Sequence, residues 1–276
     1  MADAAENAQH YEPEGLLERL KLALVTMGRD RGRLGPEDLA PLDQFHSRGL
    51  DATIELAQAL ALDDSTRVVD IGSGLGGPSR YLAATYGCTV RGIDLSPPFV
   101  EAATFLAERA GLSGKVAYQC ADALDLPFDD ESFDVAWTQH VAMNIADRAA
   151  LYRETSRVLR AGGRFAIFDV VAASDAPLHY PVPWARRPEA SFLVSAQQMD
   201  RLLTEQGFRS LSQVDSTQAG IAWFAERQKA RAGQSEPPVL GLHLAMGPGF
   251  GEMTANLARN LREGRAALVQ AIYEKS

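Results

Sequence analysis

The run Val68-Val69-Asp70-Ile71-Gly72-Ser73-Gly74-Leu75-Gly76-Gly77-Pro78-Ser79 constrains the fold more than any other stretch of this chain. It reads as a buried strand running into a glycine turn, and then a helix that Pro78 opens at its first position. Glycines this dense let the backbone take positive φ and let a ligand lie directly on the amides. A turn of this kind, at the carboxyl end of a strand, is where open α/β sheets bind nucleotides. Gly72, Gly74 and Gly77 also satisfy G-x-G-x-x-G, the dinucleotide pattern, so the glycines by themselves leave the cofactor open. A turn that only packs a helix onto a strand is the remaining alternative.

Asp70 separates these readings. A carboxylate two residues upstream repels a pyrophosphate on the loop, whereas a cofactor carrying a cation tolerates or uses it. The pattern D-x-G-x-G-x-G, from Asp70 to Gly76, resembles the first motif of class I S-adenosylmethionine-dependent methyltransferases. That cofactor carries a sulfonium and an ammonium and no phosphate. The resemblance implies an α/β, Rossmann-like, doubly wound seven-stranded sheet, with Asp70, Gly72, Ser73 and Gly74 against S-adenosylmethionine.

The following segments alternate strand and helix, as a doubly wound sheet requires. Residues 89–94 form the second strand. It ends in Asp94, 17 residues after Gly77, close to the ~20 expected for an acid that receives two ribose hydroxyls. A helix-capping role for Asp94 is the alternative, but Ser96 is itself a good N-cap and Pro97 fits the first helical position. Leu95 joins the same group of expected cofactor contacts. After a third strand at 116–120, the resemblance implies that Asp122 accepts the adenine amino group and that Ala123 offers a backbone amide to the ring. Leu126-Pro127-Phe128-Asp129-Asp130-Glu131-Ser132-Phe133-Asp134 resembles the L-P-F-x-D-x-x-F-D run before the fourth strand of the ubiquinone/menaquinone type of methyltransferase. This likeness covers residues 65–172.

The fourth strand, 133–138, ends in Gln139-His140-Val141-Ala142-Met143-Asn144, where such enzymes place the methionine half of the cofactor and the substrate. Gln139 is expected on the cofactor, and Met143 and Asn144 on the substrate. His140 is the best candidate for a general base if the nucleophile arrives protonated; a purely structural hydrogen bond is its alternative. A fifth strand at 165–171 holds Asp169, which either points to the active-site edge or caps a neighbour.

The flanks carry weaker signals. Residues 1–13 are polar, 14–28 are an amphipathic helix, 34–41 are a turn-rich connector and 50–60 are a second helix. Residues 1–64 are therefore expected to be an N-terminal helical cap. The methyltransferase domain would occupy 65–276, with lid insertions at about 173–195 and 218–262. His46 lies between the cap helices, either hydrogen-bonded in a connection or at the mouth of the site. The proline-rich stretch around Trp184, Arg186 and Arg187 reads as a lid. Trp184 would shape the pocket and Arg186 would meet a substrate carboxylate, unless it is merely solvated. Residues 196–206 and 221–231 are helical, 211–214 a short strand and 232–238 a joint. His243 falls in further lid, before a helix at 253–261 and a last antiparallel strand at 266–273. The layout, with Trp137-Thr138-Gln139, is similar to the glycine/sarcosine/dimethylglycine N-methyltransferases; Asn144 departs from it.

A net charge of −9 argues against duplex nucleic acid as the main substrate. No apolar run reaches the ~18 residues of a membrane helix, and the first residues lack a signal-peptide pattern. Cys88 and Cys120, both placed in buried strands, suggest neither a disulfide framework nor a metal site. The expectation is a cytoplasmic monomer or homodimer. It would methylate a small molecule, first an amine or amino-acid nitrogen, second the carbon or oxygen of a quinol, phenol or other acidic compound. A nicotinamide-dependent oxidoreductase and a non-catalytic module are the rivals from other classes.

Overall fold

Strand β1 (Arg67–Ile71) is buried at four of its five positions. Val68, Val69 and Ile71 are all buried because both faces of a parallel sheet are covered. In the computed structural model, which describes residues 15–232, 238–247 and 249–276, β1 lies inside a seven-stranded sheet. The order is β3-β2-β1-β4-β5-β7-β6. Strands β2 (Thr89–Asp94) and β4 (Phe133–Gln139) flank β1 in parallel, and β3 (Val116–Cys120) and β5 (Leu159–Ala172) extend the parallel set. Strand β7 (Ala266–Lys275) runs antiparallel between β5 and β6 (Phe208–Asp215). The strand order reverses between β1 and β4, so a crevice opens beyond their carboxyl ends, where ligands of such sheets bind.

Helices α1 (Leu16–Thr26), α2 (Pro36–Asp43) and α3 (Gly49–Gln58) precede β1. The crossover helices are α4 (Gly77–Tyr86), α5 (Pro97–Arg109) and α6 (Arg148–Val158); α7 (Ala196–Glu205) links β5 to β6. Helices α8 (Thr217–Arg231), α9 (His243–Met246) and α10 (Phe250–Arg262) stand between β6 and β7.

Alternation along the strands divides the core. Val68, Val90, Trp137 and Phe168 pack on one face of the sheet, and Val69, Ile93, Ala136 and Ile167 on the other. A third cluster unites Leu16, Leu20 and Leu24 of α1 with Leu39 and Leu42 of α2 and Phe99 and Leu106 of α5. The fourfold spacing of the three α1 leucines puts them on one stripe. Each contributes about 1.5–3 kcal/mol by leaving water.

Several local expectations need correction. The stretch 34–41 is not a turn throughout: α2 starts at Pro36 after Gly35, whose N–H donates to Asp38 Oδ2 at 2.9 Å. Proline and glycine, read as turn formers, here open a helix at its first position. Cys88 is buried just before β2, but Cys120 is exposed at the end of the edge strand β3. Strand β5 already begins at Leu159, which pairs with Phe133, while Arg164 pairs with Val135; residues 160–163 bulge out between them. Strand β6 is twice the expected length, its apolar pattern hidden because seven of its eight residues are exposed at the sheet edge. The polar stretch 1–13 and residues 233–237 of the joint lie outside the described residues.

Candidate active site

The loop after β1 spends its own donors. Gly72 and Ser73 both donate their N–H to the Ile93 carbonyl at 2.8 Å. Gly74 N–H donates to Asp94 Oδ2 at 2.9 Å, and Gly76 N–H to the Ser73 carbonyl at 2.8 Å. Such a loop offers no nest of free amides for a phosphate, so the expected ligand resting directly on these amides does not apply to these four. What the loop presents instead are carboxylates. Positive φ at Gly72 (73°), Gly74 (51°) and Gly76 (78°) is the geometric condition for it. A Cβ on Gly72 would lie 2.5 Å from Val141 Cγ2, whereas one on Gly74 would meet only Phe45, at 3.7 Å. The loop is therefore open on the side that faces the crevice.

Asp70, buried, and Asp94, half-buried, stand at the ends of adjacent strands in the wall of one cavity of about 370 Å³. Asp70 accepts a hydrogen bond from Ser79 Oγ at 2.5 Å. Burial pushes its pKa up to about 7, the Ser79 bond opposing and the Asp94 charge adding to the rise. Asp94 Oδ1 accepts the Ser96 N–H at 2.9 Å, so the carboxylate does cap the turn as well as face the cavity. Ser96 sits at the N-cap without a side-chain capping bond. Burial raises the Asp94 pKa, and the Ser96, Gly74 and Leu95 N–H groups oppose it. Leu95, Asp122 and Ala123 line the same cavity; Asp122 Oδ1 accepts the Leu124 N–H at 2.9 Å.

Opposite these acids, the end of β4 meets the cap. Trp137 Nε1 donates to Gln139 Oε1 at 3.0 Å, and Thr53 Oγ1 of α3 lies 3.2 Å from the same oxygen and 2.6 Å from Gln44 Oε1. His46 joins this group: its Nε2 lies 3.0 Å from Gln44 Oε1 and 3.1 Å from Thr53 Oγ1. Its Nδ1 is 3.0 Å from the Ser47 carbonyl. Burial holds the His46 pKa at about 4, and the ring is neutral. Both readings of His46 thus coexist, a hydrogen-bonded connection residue that also lines the cavity.

His140 has φ +57°, an uncommon conformation for a side-chain-bearing residue. Its N–H donates to the Phe168 carbonyl at 2.8 Å and its ring lies 4.9 Å from that of Phe168 and 6.0 Å from that of His46. Burial, then the neighbouring His46, holds its pKa well below the imidazole range. Among the described residues, three buried atoms on this cavity's wall lack a hydrogen-bond partner: Ser73 Oγ, Gln139 Nε2 and His140 Nε2.

Met143 and Asn144 lie in the short turn Ala142–Asn144 and line the cavity. The segment after β5 closes over them. Phe192 N–H donates to the Met143 carbonyl at 3.0 Å, and Arg148 Nη2 to the Phe192 carbonyl at 3.1 Å. Trp184, 1% exposed, donates to Ser191 Oγ at 2.9 Å and presents its ring to the cavity beside Pro183 and Phe192. Asp169 is not on the cavity wall; it faces Arg148 at 3.9 Å in the core beneath. Arg186 is exposed, and His243 starts α9; neither lines the cavity. Sequence reasoning missed Phe45, Phe99 and Phe192 as walls, and Asp43, which holds Arg80 in a buried ion pair behind the loop. Phe45 adjoins His46 in sequence; nothing local marks the others.

The donor set suits S-adenosylmethionine: carboxylates at two adjacent strand ends, a loop whose Gly72, Ser73, Gly74 and Gly76 N–H groups are already bonded, and unpartnered polar atoms at Ser73 and Gln139. Comparison with known proteins agrees. A methyltransferase domain matches residues 69–167. The sarcosine/dimethylglycine N-methyltransferase of Halorhodospira halochloris is 31% identical over 181 residues, 66% of this chain and 64% of that protein. The chloroplastic tocopherol O-methyltransferase of Arabidopsis thaliana is 44% identical over 101 residues, 37% of this chain and 29% of that one. The chain spans less than two thirds of the length of these curated relatives. The geranyl diphosphate C-methyltransferase of Streptomyces coelicolor A3(2) superposes with a TM-score of 0.71 at 19% identity, covering 100% of this chain and 99% of the other, a likeness of fold. Residues 69–167 thus match a methyltransferase domain, and the whole chain has the Rossmann-like fold seen in class I methyltransferases.

Proposed function

We propose that this protein transfers a methyl group from S-adenosylmethionine to a small molecule lodged between the end of β4 and the segment carrying Trp184 and Phe192. The observation that carries the proposal is the glycine loop, in which the amides of Gly72, Ser73, Gly74 and Gly76 are taken by Ile93, Ser73 and Asp94 while two carboxylates face the crevice. A nicotinamide dinucleotide would need those amides for its pyrophosphate and would meet Asp70 instead.

In this reading Asp94 receives the ribose hydroxyls, Asp122 and the Ala123 amide hold the adenine, and Leu95 covers it. Asp70, Gly72, Ser73, Gly74 and Gln139 bound the methionine half. The bound cofactor supplies an electrophilic methyl on a sulfonium, and the thioether departs without needing a proton. The residues of this chain therefore contribute alignment and dryness. Trp184, Met143 and Phe192 exclude water, and the neutral His140 stands ready to take a proton from an acceptor. Arg186 and His243 serve the substrate only if the segments that carry them move toward the cavity. The relatives named above act on nitrogen, oxygen and carbon, so their names do not choose the acceptor atom. A cytoplasmic setting fits the two free thiols.

Incubation with methyl-labelled S-adenosylmethionine and an extract of small metabolites tests the activity. Label moving into a low-molecular-weight product, and lost in the Asp94→Ala variant, is expected. Label that stays in the cofactor with every small-molecule fraction would refute it.

A further inference from the structure

The charges around the cavity are one-sided. Asp43, Asp70, Asp94, Asp122 and Asp147 line it, and among the described residues no lysine or arginine does. The residues outside the description, 1–14, 233–237 and 248, contain neither lysine nor arginine in their sequence. The buried arginines nearby are spent elsewhere. Arg80 binds Asp43 and donates to the Leu75 carbonyl at 2.7 Å. Arg148 donates to Tyr152 and to the Phe192 carbonyl and faces Asp169. A substrate carboxylate or phosphate entering here would be desolvated without a cation and surrounded by like charge, and burying an unpaired charge is costly.

The far wall of the cavity is apolar and aromatic, formed by Met143, Ile145, Pro183, Trp184 and Phe192. Its polar side chains are Asn144, whose Nδ2 donates to the Val141 carbonyl at 3.1 Å, and His140, whose buried Nε2 has no partner. The five carboxylates do not make an ammonium site of this wall. Asp147 Oδ1 accepts the Ala150 N–H at 2.8 Å at the start of α6, Asp43 is paired with Arg80, and the other three belong to the expected cofactor positions.

We infer that the methyl acceptor is an uncharged hydroxyl compound with an apolar body, and not an amino acid or other carboxylate, its hydroxyl donating to Nε2 of His140. The inference rests on the methyltransferase reading and reverses the order of preference that the sequence suggests. In the step, the acceptor oxygen bonds to the methyl carbon as the methyl–sulfur bond breaks, and that electron pair stays on sulfur. The hydroxyl proton passes to His140 Nε2, and the resulting imidazolium later returns it to solvent.

The test uses the full chain saturated with S-adenosylhomocysteine, titrated calorimetrically with 4-propylphenol, 4-hydroxyphenylacetate, sarcosine and propylamine. Failure of S-adenosylhomocysteine itself to bind would strike the methyltransferase reading. With that complex formed, the expected result is binding of the phenol and binding of the carboxylates weaker by about a hundredfold or more. With labelled S-adenosylmethionine the label then appears as an ether. Tighter binding of sarcosine, the carboxylated phenol or the amine overturns the inference, as does absence of any binding by the phenol. His140→Asn, a residue that tolerates positive φ, is expected to keep phenol binding within a few-fold and to slow ether formation by about 10²–10⁴. Unchanged transfer in that variant would also overturn it.

Discussion

Asp70 and Asp94 carry different parts of the account although they stand side by side. Asp94 ties the loop to the second strand through Gly74 and Ser96, so its carboxylate is held in place before any ligand arrives. Asp70 is less comfortable: burial lifts its pKa to about 7, and Ser79 only partly compensates. A carboxyl raised in the folded state binds protons the unfolded chain has already lost, so its share of stability declines as pH rises from about 4 toward 7. A cation placed beside it favours the carboxylate and reverses that penalty. Affinity for S-adenosylmethionine should therefore rise about tenfold between pH 6 and pH 8, since one pKa unit is worth a factor of ten. Calorimetry at several pH values reads this directly, and Asp70→Asn should flatten the profile. A wild-type profile as flat as the variant's would remove Asp70 from the cation site.

At the scale of elements, the glycine loop fixes more than its own turn. Gly77 opens α4 where the helix meets the end of α2, and a Cβ there would overlap the Asp43 main-chain carbonyl. Backbone cannot yield as a side-chain tip can, so Gly77→Ala should cost about 2–4 kcal/mol in denaturant unfolding. Gly114→Ala, with nothing within 4 Å of its Cβ, serves as the control and should change stability by less than about 0.5 kcal/mol. Equal stability of the two variants would contradict the packing of α2 on α4. This contact explains a limit of sequence reasoning. Gly77 reads as part of a cofactor motif, yet its side-chain-free surface is required by a cap helix 34 residues upstream that was taken for a turn. The capping residues of α7, by contrast, are local: Gln198 N–H donates to Ser195 Oγ at 3.1 Å and Ser195 N–H to Gln198 Oε1 at 2.9 Å.

For the molecule as a whole, legibility follows how local the determinant is. Strands β1 and β4 were readable because burial on both faces makes them largely apolar, and the last antiparallel strand because most of it is buried too. Strand β6 was only partly readable at its exposed edge. In the site, the acids at strand ends follow from motif and spacing. The walls made by Phe45, Phe99 and Phe192 do not, since they converge from three separate segments. Nor does the one-sided charge of the cavity, which appears only once the chain is folded and the arginines have found partners inside the core. All of it depends on one claim, that the crevice at the switch point holds S-adenosylmethionine. The direct measurement is calorimetric titration of the full chain with S-adenosylmethionine and S-adenosylhomocysteine, beside Asp94→Ala. The account predicts about micromolar binding of both and a loss of about a hundredfold or more in the variant, as two charge-assisted hydrogen bonds vanish. Absence of binding to either compound by a folded protein, or an undiminished affinity in Asp94→Ala, would contradict it.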